Sequence, residues 1–140
     1  MSRIGTRMYN DNRFKLGLFG MNCSGGLTMT LAPEYWEASW ENNLKAAQLA
    51  DDAGLEFILP IGRWRGYGGI TDTASSTYET LTWASGLLAA TKGISIFGTV
   101  HVSMIGPVFC AKQMVTADHI GRGRFGLNIV SGWNVDEHEM

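Results

Sequence analysis

The sequence predicts an α/β domain built on a parallel sheet, and three observations lead to this fold class. Short apolar segments of strand type alternate with longer segments in which apolar residues recur at helical spacing. The strand segments are almost continuously apolar, as in parallel strands that are covered on both faces. The connections from helix to strand are short, whereas those from strand to helix are long. Functional residues are therefore expected at the carboxyl ends of the strands.

Four strands and three helices account for most of the chain. The predicted strands are residues 14–19, 55–60, 94–102 and 125–130, and the predicted helices are residues 33–53, 77–91 and 107–121. Pro33 is suited to the first position of the first helix. Ser76 and Glu79 have the spacing of a capping box for the second helix. Residues 1–140 are predicted to form one domain, with residues 1–13 as a flexible N-terminal extension.

Composition and charge limit the classes of function. The chain has 140 residues, of which 45% are hydrophobic, and this composition is typical of a globular domain. Its net charge of -2 provides no basic surface for nucleic acid or for a membrane. The polar N-terminus lacks the apolar core of a signal peptide, and no apolar run is long enough to span a membrane. The sequence therefore predicts a cytoplasmic protein in which Cys23 and Cys110 are reduced.

Two motifs of ligand-binding type are interpreted as structural. The segment GRGRFG at 121–126 matches a dinucleotide-binding pattern, but a predicted helix precedes it and a strand follows it. A nucleotide site requires the opposite order, so Gly121 and Gly123 are predicted to form a tight helix-to-strand turn. The segment DEHE at 136–139 lacks the two-histidine spacing of a metal site. It is predicted to be a solvated acidic surface, and no metal is expected.

The loop that follows the second strand has two interpretations. It reads IGRWRGYGG at 61–69, so that glycines alternate with the cations Arg63 and Arg65 and the aromatic rings of Trp64 and Tyr67. Backbone amides, guanidinium groups and aromatic faces suit an anionic, planar ligand. The alternative is a surface loop in which arginines stack on aromatic rings.

The fourth predicted strand contains an amide. Asn128 shares one face of this strand with Gly126, because side chains alternate between the two faces. The small glycine is expected to leave room above the amide. A buried unpaired amide costs about 1–3 kcal/mol, so Asn128 bonds either to its neighbours in the core or to a ligand. Thr99 and His101 on the third strand alternate in the same way, which favours the mouth of a barrel.

Taken together, these segments resemble the bacterial luciferase-like family of flavin-dependent monooxygenases. The resemblance extends over nearly all of the chain from Phe14, and its most specific part is GRFGLNIVSGWN, supported by AKQMVTADHIGRGR and RWRGYGG. The branch that contains the pyrimidine, dimethyl sulfone and alkanesulfonate monooxygenases is the most similar. The resemblance implies a (β/α)8 TIM barrel, of which this chain holds about the first four β/α units. The chain is expected to be the N-terminal portion of a longer enzyme.

The resemblance also implies roles for individual residues. Thr99 and Asn128 match the catalytic residues that position oxygen beside the flavin ring. The residues that match cofactor-binding positions are Gly62, Arg63, Asn128, Ser131 and Glu137. His101 stands where the pyrimidine monooxygenases have a small residue, which indicates a difference at the substrate.

The implied function is that of a two-component monooxygenase. Such an enzyme takes reduced FMN from a separate flavin reductase and uses O2 to oxidise a small organic substrate, here of heterocyclic or organosulfur type. The full-length enzyme is expected to be a homo-oligomer, and the 140-residue chain alone is expected to be inactive. Two alternatives stay open: a deazaflavin-dependent oxidoreductase of the same fold that transfers hydride, and a non-catalytic flavin-binding half-barrel.

Overall fold

The parallel sheet is present, in an order that decides between two architectures. A computed structural model describes residues 6–140, with strands β1 (Gly17–Phe19), β2 (Phe57–Leu59), β3 (Ser95–His101) and β4 (Phe125–Val130). The four strands are parallel and pair in the consecutive order β1-β2-β3-β4. A doubly wound sheet reverses its strand order at a switch point, whereas a TIM barrel does not. The chain therefore contains four successive strands of a TIM barrel.

Helices connect these strands. They are α1 (Trp40–Asp52), α2 (Thr80–Ala90) and α3 (Pro107–Gly121), and a short helix α4 (Val135–His138) follows β4. The bounds of α3 and β4 agree with those predicted from the sequence. The helix α4 was not predicted, because the acidic segment was interpreted as a solvated surface.

The core lies between the sheet and the helices. Ile58 and Ile96 are fully buried at its centre. The helix residues buried with them are Ala47, Ala50, Trp83, Ala84, Leu87, Leu88 and Ala117. Farther along β3, Val100 packs against Leu81 of α2. Because side chains alternate along a strand, Phe97 and Thr99 face away from the helices.

The start of α1 differs from the prediction. The helix begins at Trp40 rather than at Pro33, and Ser39 is its N-cap. The indole Nε1 of Trp36 donates a hydrogen bond to the backbone oxygen of Met21, at 2.8 Å. This contact holds the segment before the helix against the loop that follows β1, so its backbone is not helical. The hydroxyl of Ser39 then begins the helix in the ordinary way.

The start of α2 also differs. The predicted capping box of Ser76 and Glu79 is not formed, and the helix begins at Thr80 rather than at Thr77. Glu79 is itself the N-cap, and its carboxylate accepts hydrogen bonds from two backbone amides of the first turn, at 2.9 and 2.7 Å. The backbone amide of Ser76 instead donates to the hydroxyl of Ser24 in the loop after β1. A contact between two loops has replaced the local motif.

The loops after β1 and β2 are joined by a side chain. Asn22 is fully buried, and its amide both donates to the backbone oxygen of Ile61 and accepts from the backbone amide of Ile61, each at 2.9 Å. Next to it, Cys23 forms an antiparallel bridge with Thr77. The polar amide thus continues the pairing of β1 with β2 beyond the ends of the strands.

The predicted extension, residues 1–13, contacts the domain over its described part. The guanidinium of Arg7 lies 2.8 Å from the carboxylate of Asp51 at the end of α1. The carboxylate of Glu56 accepts three hydrogen bonds, from the side chains of Asn10 and Asn12 and from the backbone amide of Leu16. These hydrogen bonds lower the pKa of Glu56 to about 2. Residues 1–5 lie outside the described part of the structure.

Two features bear on the environment of the chain. Within residues 6–140, no helix is both long enough and apolar enough to cross a bilayer. Cys23 and Cys110 are both buried, and neither forms a disulfide. Burial raises the pKa of the Cys23 thiol to about 12, so this thiol is protonated and unreactive at neutral pH.

The 140-residue polypeptide, produced alone, is expected to associate or precipitate. The apolar side chains of Leu127 and Ile129 on β4, and of Val108, Phe109 and Val115 on α3, are exposed. Exposed apolar patches and unpaired strand edges promote association. Size-exclusion chromatography with light scattering measures it, and the double variant Val108→Lys, Phe109→Lys should associate less. A monodisperse monomer that unfolds cooperatively would contradict the expectation.

Candidate functional site

The predicted site residues lie together at the carboxyl ends of β2, β3 and β4. Gly62 follows β2 and packs against Thr99 of β3, which is hydrogen-bonded to Asn128 of β4. Arg63 is paired with Glu137 of α4. The sixth residue, Ser131, follows β4, and its backbone oxygen lies 3.5 Å from the hydroxyl of Ser103, outside the side-chain network of the other five. The structure therefore brings five of the six predicted residues together, because Gly62 and Arg63, which are adjacent in the chain, join the two groups of contacts.

Thr99 and Asn128 form a polar pair on the face of the sheet that points away from the helices. They are register partners in the β3–β4 pairing, and Asn128 Nδ2 lies 3.2 Å from Thr99 Oγ1. Thr99 Oγ1 also donates to the backbone oxygen of Pro60, at 2.9 Å. Thr99 is buried, whereas Asn128 is half-buried. This pair is the polar element that the alternation of the two strands predicted.

Gly126 does not leave the predicted space above Asn128, because an aromatic ring covers this glycine. A Cβ atom on Gly126 would lie 2.6 Å from the ring of Phe97 on β3, so the glycine is required by the aromatic ring that covers it. Phe97 in turn makes an edge-to-face contact with Phe57 of β2. The prediction of room at Gly126 was wrong, because the sequence does not show which neighbouring side chain fills the gap.

His101 packs between the ends of two strands. A Cβ atom on Gly62 would lie 2.8 Å from His101 Cε1, and one on Gly132 would lie 2.9 Å from His101 Cδ2. Only glycines allow the backbones that follow β2 and β4 to approach the imidazole this closely. Burial lowers the pKa of His101; the carboxylate of Glu137 raises it, but the positive charge of Arg63 acts with burial, so the pKa is lowered. His101 is therefore neutral at pH 7.

Arg63 is buried and its charge is balanced. Its Nη1 lies 3.1 Å from Glu137 Oε1, and its Nη2 donates to the hydroxyl of Tyr67, at 2.8 Å. The guanidinium carbon lies 4.4 Å from the ring centre of Tyr67 and 5.1 Å from that of Trp133. The arginine thus stacks on aromatic rings, as in the second interpretation of this loop, but inside the protein rather than on its surface.

Glu137 is buried, and the prediction of a solvated acidic segment is wrong for this residue. Its Oε1 accepts hydrogen bonds from the backbone amides of Trp64 and Arg65, at 2.7 and 3.2 Å, in addition to its contact with Arg63. Burial raises the pKa of the carboxyl, but the two amides and the charge of Arg63, with His101 as the smallest contribution, outweigh burial, so the pKa is lowered. Glu137 is therefore ionised, and it fastens α4 to the loop after β2. No group of acidic, histidine or cysteine side chains with metal-binding geometry occurs in residues 6–140.

The segment after β4 presents an aromatic face. Trp133 is 71% exposed, and its ring stacks on that of Tyr67 with centroids 6.1 Å apart and planes inclined by 26°. Asn134 caps α4 by accepting a hydrogen bond from the backbone amide of Asp136. The indole is thereby supported on one side by Tyr67 and Arg63, whereas most of its surface is exposed.

Replacing Gly62 with alanine is expected to lower the free energy of unfolding of the intact protein by about 1–3 kcal/mol. The added methyl group would lie 2.7 Å from Thr99 Cγ2 and 2.8 Å from His101 Cε1, so both side chains must move. Gly106→Ala is a suitable control, because a Cβ there meets nothing within 4 Å. The control should cost less than about 1 kcal/mol, as a change at a helix N-cap. Equal losses in chemical denaturation would show that the close packing at Gly62 is not the cause.

Consecutive parallel strands with a polar network at their carboxyl ends define a domain of TIM-barrel type. The chain belongs to the luciferase-like monooxygenase family, whose family model matches residues 14–140.

Curated relatives are similar over most of this chain. Pyrimidine monooxygenase RutA of Acinetobacter baylyi is 38% identical over 127 residues, which is 90% of this chain and 34% of the relative. The enzyme of the same name from Pseudomonas savastanoi pv. phaseolicola is 37% identical over 117 residues, covering 84% of this chain and 32% of the relative. The chain thus spans about a third of the length of these relatives.

Solved structures share the fold. EDTA monooxygenase (EmoA) from Chelativorans sp. BNC1 superposes with a TM-score of 0.74 at 18% identity, covering 88% of this chain and 31% of that chain. Riboflavin lyase (RcaE), solved with a modified FMN and its substrate riboflavin, superposes with a TM-score of 0.71 at 21% identity, over 86% of this chain and 30% of that chain. At this level of identity the likeness establishes the fold.

Sequence reasoning missed three features of the site: the burial of Glu137, the packing of His101 between two glycines, and the hydrogen bond of Tyr67 with Arg63. The first had a signal in the sequence. Asn134, an N-cap residue followed by Asp136 and Glu137, predicts a helix start, and a helix after the fourth strand would have directed one face of DEHE inward.

Proposed function

We propose that the intact protein is a flavin-dependent monooxygenase that uses reduced FMN and O2 to oxidise a small organic substrate. The observation that carries the proposal is the pair of Thr99 and Asn128 at the mouth of the sheet. Membership of the luciferase-like monooxygenase family and the identity with pyrimidine monooxygenases support it. Reduced FMN, when bound, would supply the electrons that activate oxygen. The protein's own residues bind, orient and shield.

The described residues fit a flavin ring better than they fit its phosphate. The exposed face of Trp133 and the amide of Asn128 offer a stacking surface and hydrogen-bonding groups, which suit a planar heteroaromatic ring system. Arg63 is the buried cation of the site, and Glu137 already neutralises it. We therefore place a dianionic phosphate outside this part of the barrel, consistent with the position of phosphate sites near the last strands of TIM barrels.

The proposal assigns a role to each predicted site residue. Thr99 and Asn128 would orient oxygen and the reacting ring. Four further residues are proposed to border the flavin: Gly62, Arg63, Ser131 and Glu137. Gly62 would do so through its backbone, and Glu137 through its side chain, which is paired with Arg63. Arg63 and Glu137 would act mainly by holding the loops that exclude water, since their charges are paired with each other.

The electrostatics of the site favour an uncharged substrate. The buried network contains one positive charge on Arg63, one negative charge on Glu137 and a neutral His101, so these groups together add no net charge. A neutral heterocycle or a neutral organosulfur compound enters such a site without an unpaired charge. The proposal includes a separate flavin reductase, a homo-oligomeric intact enzyme and a cytoplasmic location.

Oxygen consumption tests the function directly. The intact protein is mixed with FMN, NADH and a flavin reductase, and oxygen uptake and product are measured with uracil and dimethyl sulfone as probes of the two substrate classes. Substrate-dependent product with oxygen incorporated is the expected result. Hydride transfer from a deazaflavin without oxygen uptake would establish the first alternative. Flavin binding without turnover of any probe would favour the non-catalytic alternative.

A further inference from the structure

The hydroxyl of Thr99 has one proton, and two neighbours lie within hydrogen-bond distance of its oxygen. They are the backbone oxygen of Pro60, at 2.9 Å, and the side-chain amide of Asn128, at 3.2 Å. The Pro60 carbonyl can only accept a hydrogen bond, and Pro60 is fully buried. Among residues 6–140, the Thr99 hydroxyl is the donor that reaches this carbonyl. A buried carbonyl without a donor is unfavourable, so the proton of Thr99 points to Pro60.

This assignment fixes the orientation of the Asn128 amide. Because the Thr99 hydroxyl donates to Pro60, its oxygen must accept from Asn128, and the NH2 group of the amide must face Thr99. The conclusion follows from the donor and acceptor chemistry and does not depend on telling nitrogen from oxygen by position. Asn128 Oδ1 then points away from Thr99, and it makes no hydrogen bond within the described part of the chain.

The backbone around Thr99 is fixed as well. The Thr80 hydroxyl at the start of α2 donates to the backbone oxygen of Thr99, at 2.6 Å, and accepts from the backbone amide of Thr99, at 3.2 Å. Thr99 is therefore held from two sides, by Pro60 directly after β2 and by Thr80 at the start of α2. All the polar atoms of Thr99 are engaged in these contacts or with Asn128, whereas the amide of Asn128 retains one N–H and Oδ1 for a ligand.

We propose that Thr99 is a positioning residue that acts on the reaction through Asn128, and that Asn128 is the member of this pair that presents hydrogen-bonding groups to the reacting ligand. This inference rests on the proposed function, and it changes the role of Thr99 from a ligand contact to the residue that sets the orientation of the amide. The two hydrogen bonds form a chain with one direction: the Asn128 amide donates to the Thr99 oxygen, and the Thr99 hydroxyl donates to the Pro60 carbonyl.

A double-mutant cycle tests the inference, with the ratio of product formed to reduced FMN oxidised as the readout. In the intact enzyme, Thr99→Val should lower this ratio about tenfold, because the amide of Asn128 loses its anchor. In an Asn128→Ala background the same change should alter the ratio less than twofold. Thr99→Ser, which keeps the hydroxyl, should restore the ratio to within about twofold of the wild type. Melting temperatures are recorded beside each ratio.

The possible outcomes separate the two proposals. Equal falls for Thr99→Val in both backgrounds would show that Thr99 contacts the ligand itself and would overturn the inference while leaving the proposed function intact. A normal ratio in Asn128→Ala would remove the proposed role of Asn128, and the inference with it. Thr99→Ala replaces Thr99→Val if the valine variant does not fold, because it also removes the hydroxyl and leaves the predicted non-additivity unchanged.

Discussion

Replacing Asn128 with alanine is expected to lower the yield of oxygenated product by about 10²–10³-fold while reduced FMN is still consumed. The expected size is that of removing one preorganised hydrogen-bond donor from an active site. Asn128 is half-buried at the mouth, and its amide makes one hydrogen bond, to Thr99, so the variant should lose little stability. Product and oxidised flavin are measured together, since their ratio reports coupling rather than the amount of folded enzyme.

Asn42→Ala is the matched control for this experiment. It removes the same amide from α1, where the side chain donates to the backbone oxygen of Glu37 far from the site, and it should leave the product ratio unchanged. A normal ratio in Asn128→Ala together with a large fall in melting temperature would make Asn128 a core residue. The amide in the fourth strand would then serve the fold.

Replacing Arg63 with methionine is expected to lower the free energy of unfolding of the intact protein by about 3–5 kcal/mol. The side chains of Arg63 and Glu137 are 4% and 2% exposed, so the variant leaves a carboxylate buried without its cation. Arg65→Met is the control from the same loop. The Arg65 side chain is exposed, and its loss should change stability by less than about 0.5 kcal/mol.

The double variant Arg63→Met, Glu137→Gln identifies the cause of that loss. It leaves no uncompensated charge, and the glutamine oxygen can still accept from the amides of Trp64 and Arg65. Most of the lost stability should return, as measured by chemical denaturation. If the single and double variants are equally unstable, the stacking of Arg63 on Tyr67 and Trp133 contributes more than the ion pair. Flavin affinity should fall in both variants as a secondary effect of a displaced loop.

The fold class and the polar pair were predictable because each depends on a pattern within a segment. Alternation along residues 94–102 and 125–130 placed Thr99 and Asn128 on one face, and the β3–β4 register makes them neighbours. The consecutive order of the strands was not predictable from periodicity, because TIM barrels and doubly wound sheets have the same alternation of strands and helices. That choice came from the resemblance of the segment GRFGLNIVSGWN to a family.

What could not be predicted depends on contacts between distant segments. The helix expected at Pro33 begins at Trp40, because Trp36 is bonded to a loop fifteen positions before it. Glu137 was interpreted as solvated because its partners, the amides of Trp64 and Arg65, are separated from it by 73 and 72 positions. Local preferences describe a segment in water, whereas these residues respond to a neighbour that only the folded chain supplies.

The buried amide of Asn22 has a consequence for motion at the site. By pairing with both backbone groups of Ile61, the second residue after β2, it restrains the start of this loop as a neighbouring strand would. The bridge between Cys23 and Thr77 fixes the other end of the same loop. If the loop after β2 opens over the mouth, its bending is therefore expected at Gly68 and Gly69, which have left-handed backbones and where a Cβ atom would meet nothing within 4 Å. Opening of the loop for substrate entry would then also break the hydrogen bond between Arg63 and Tyr67.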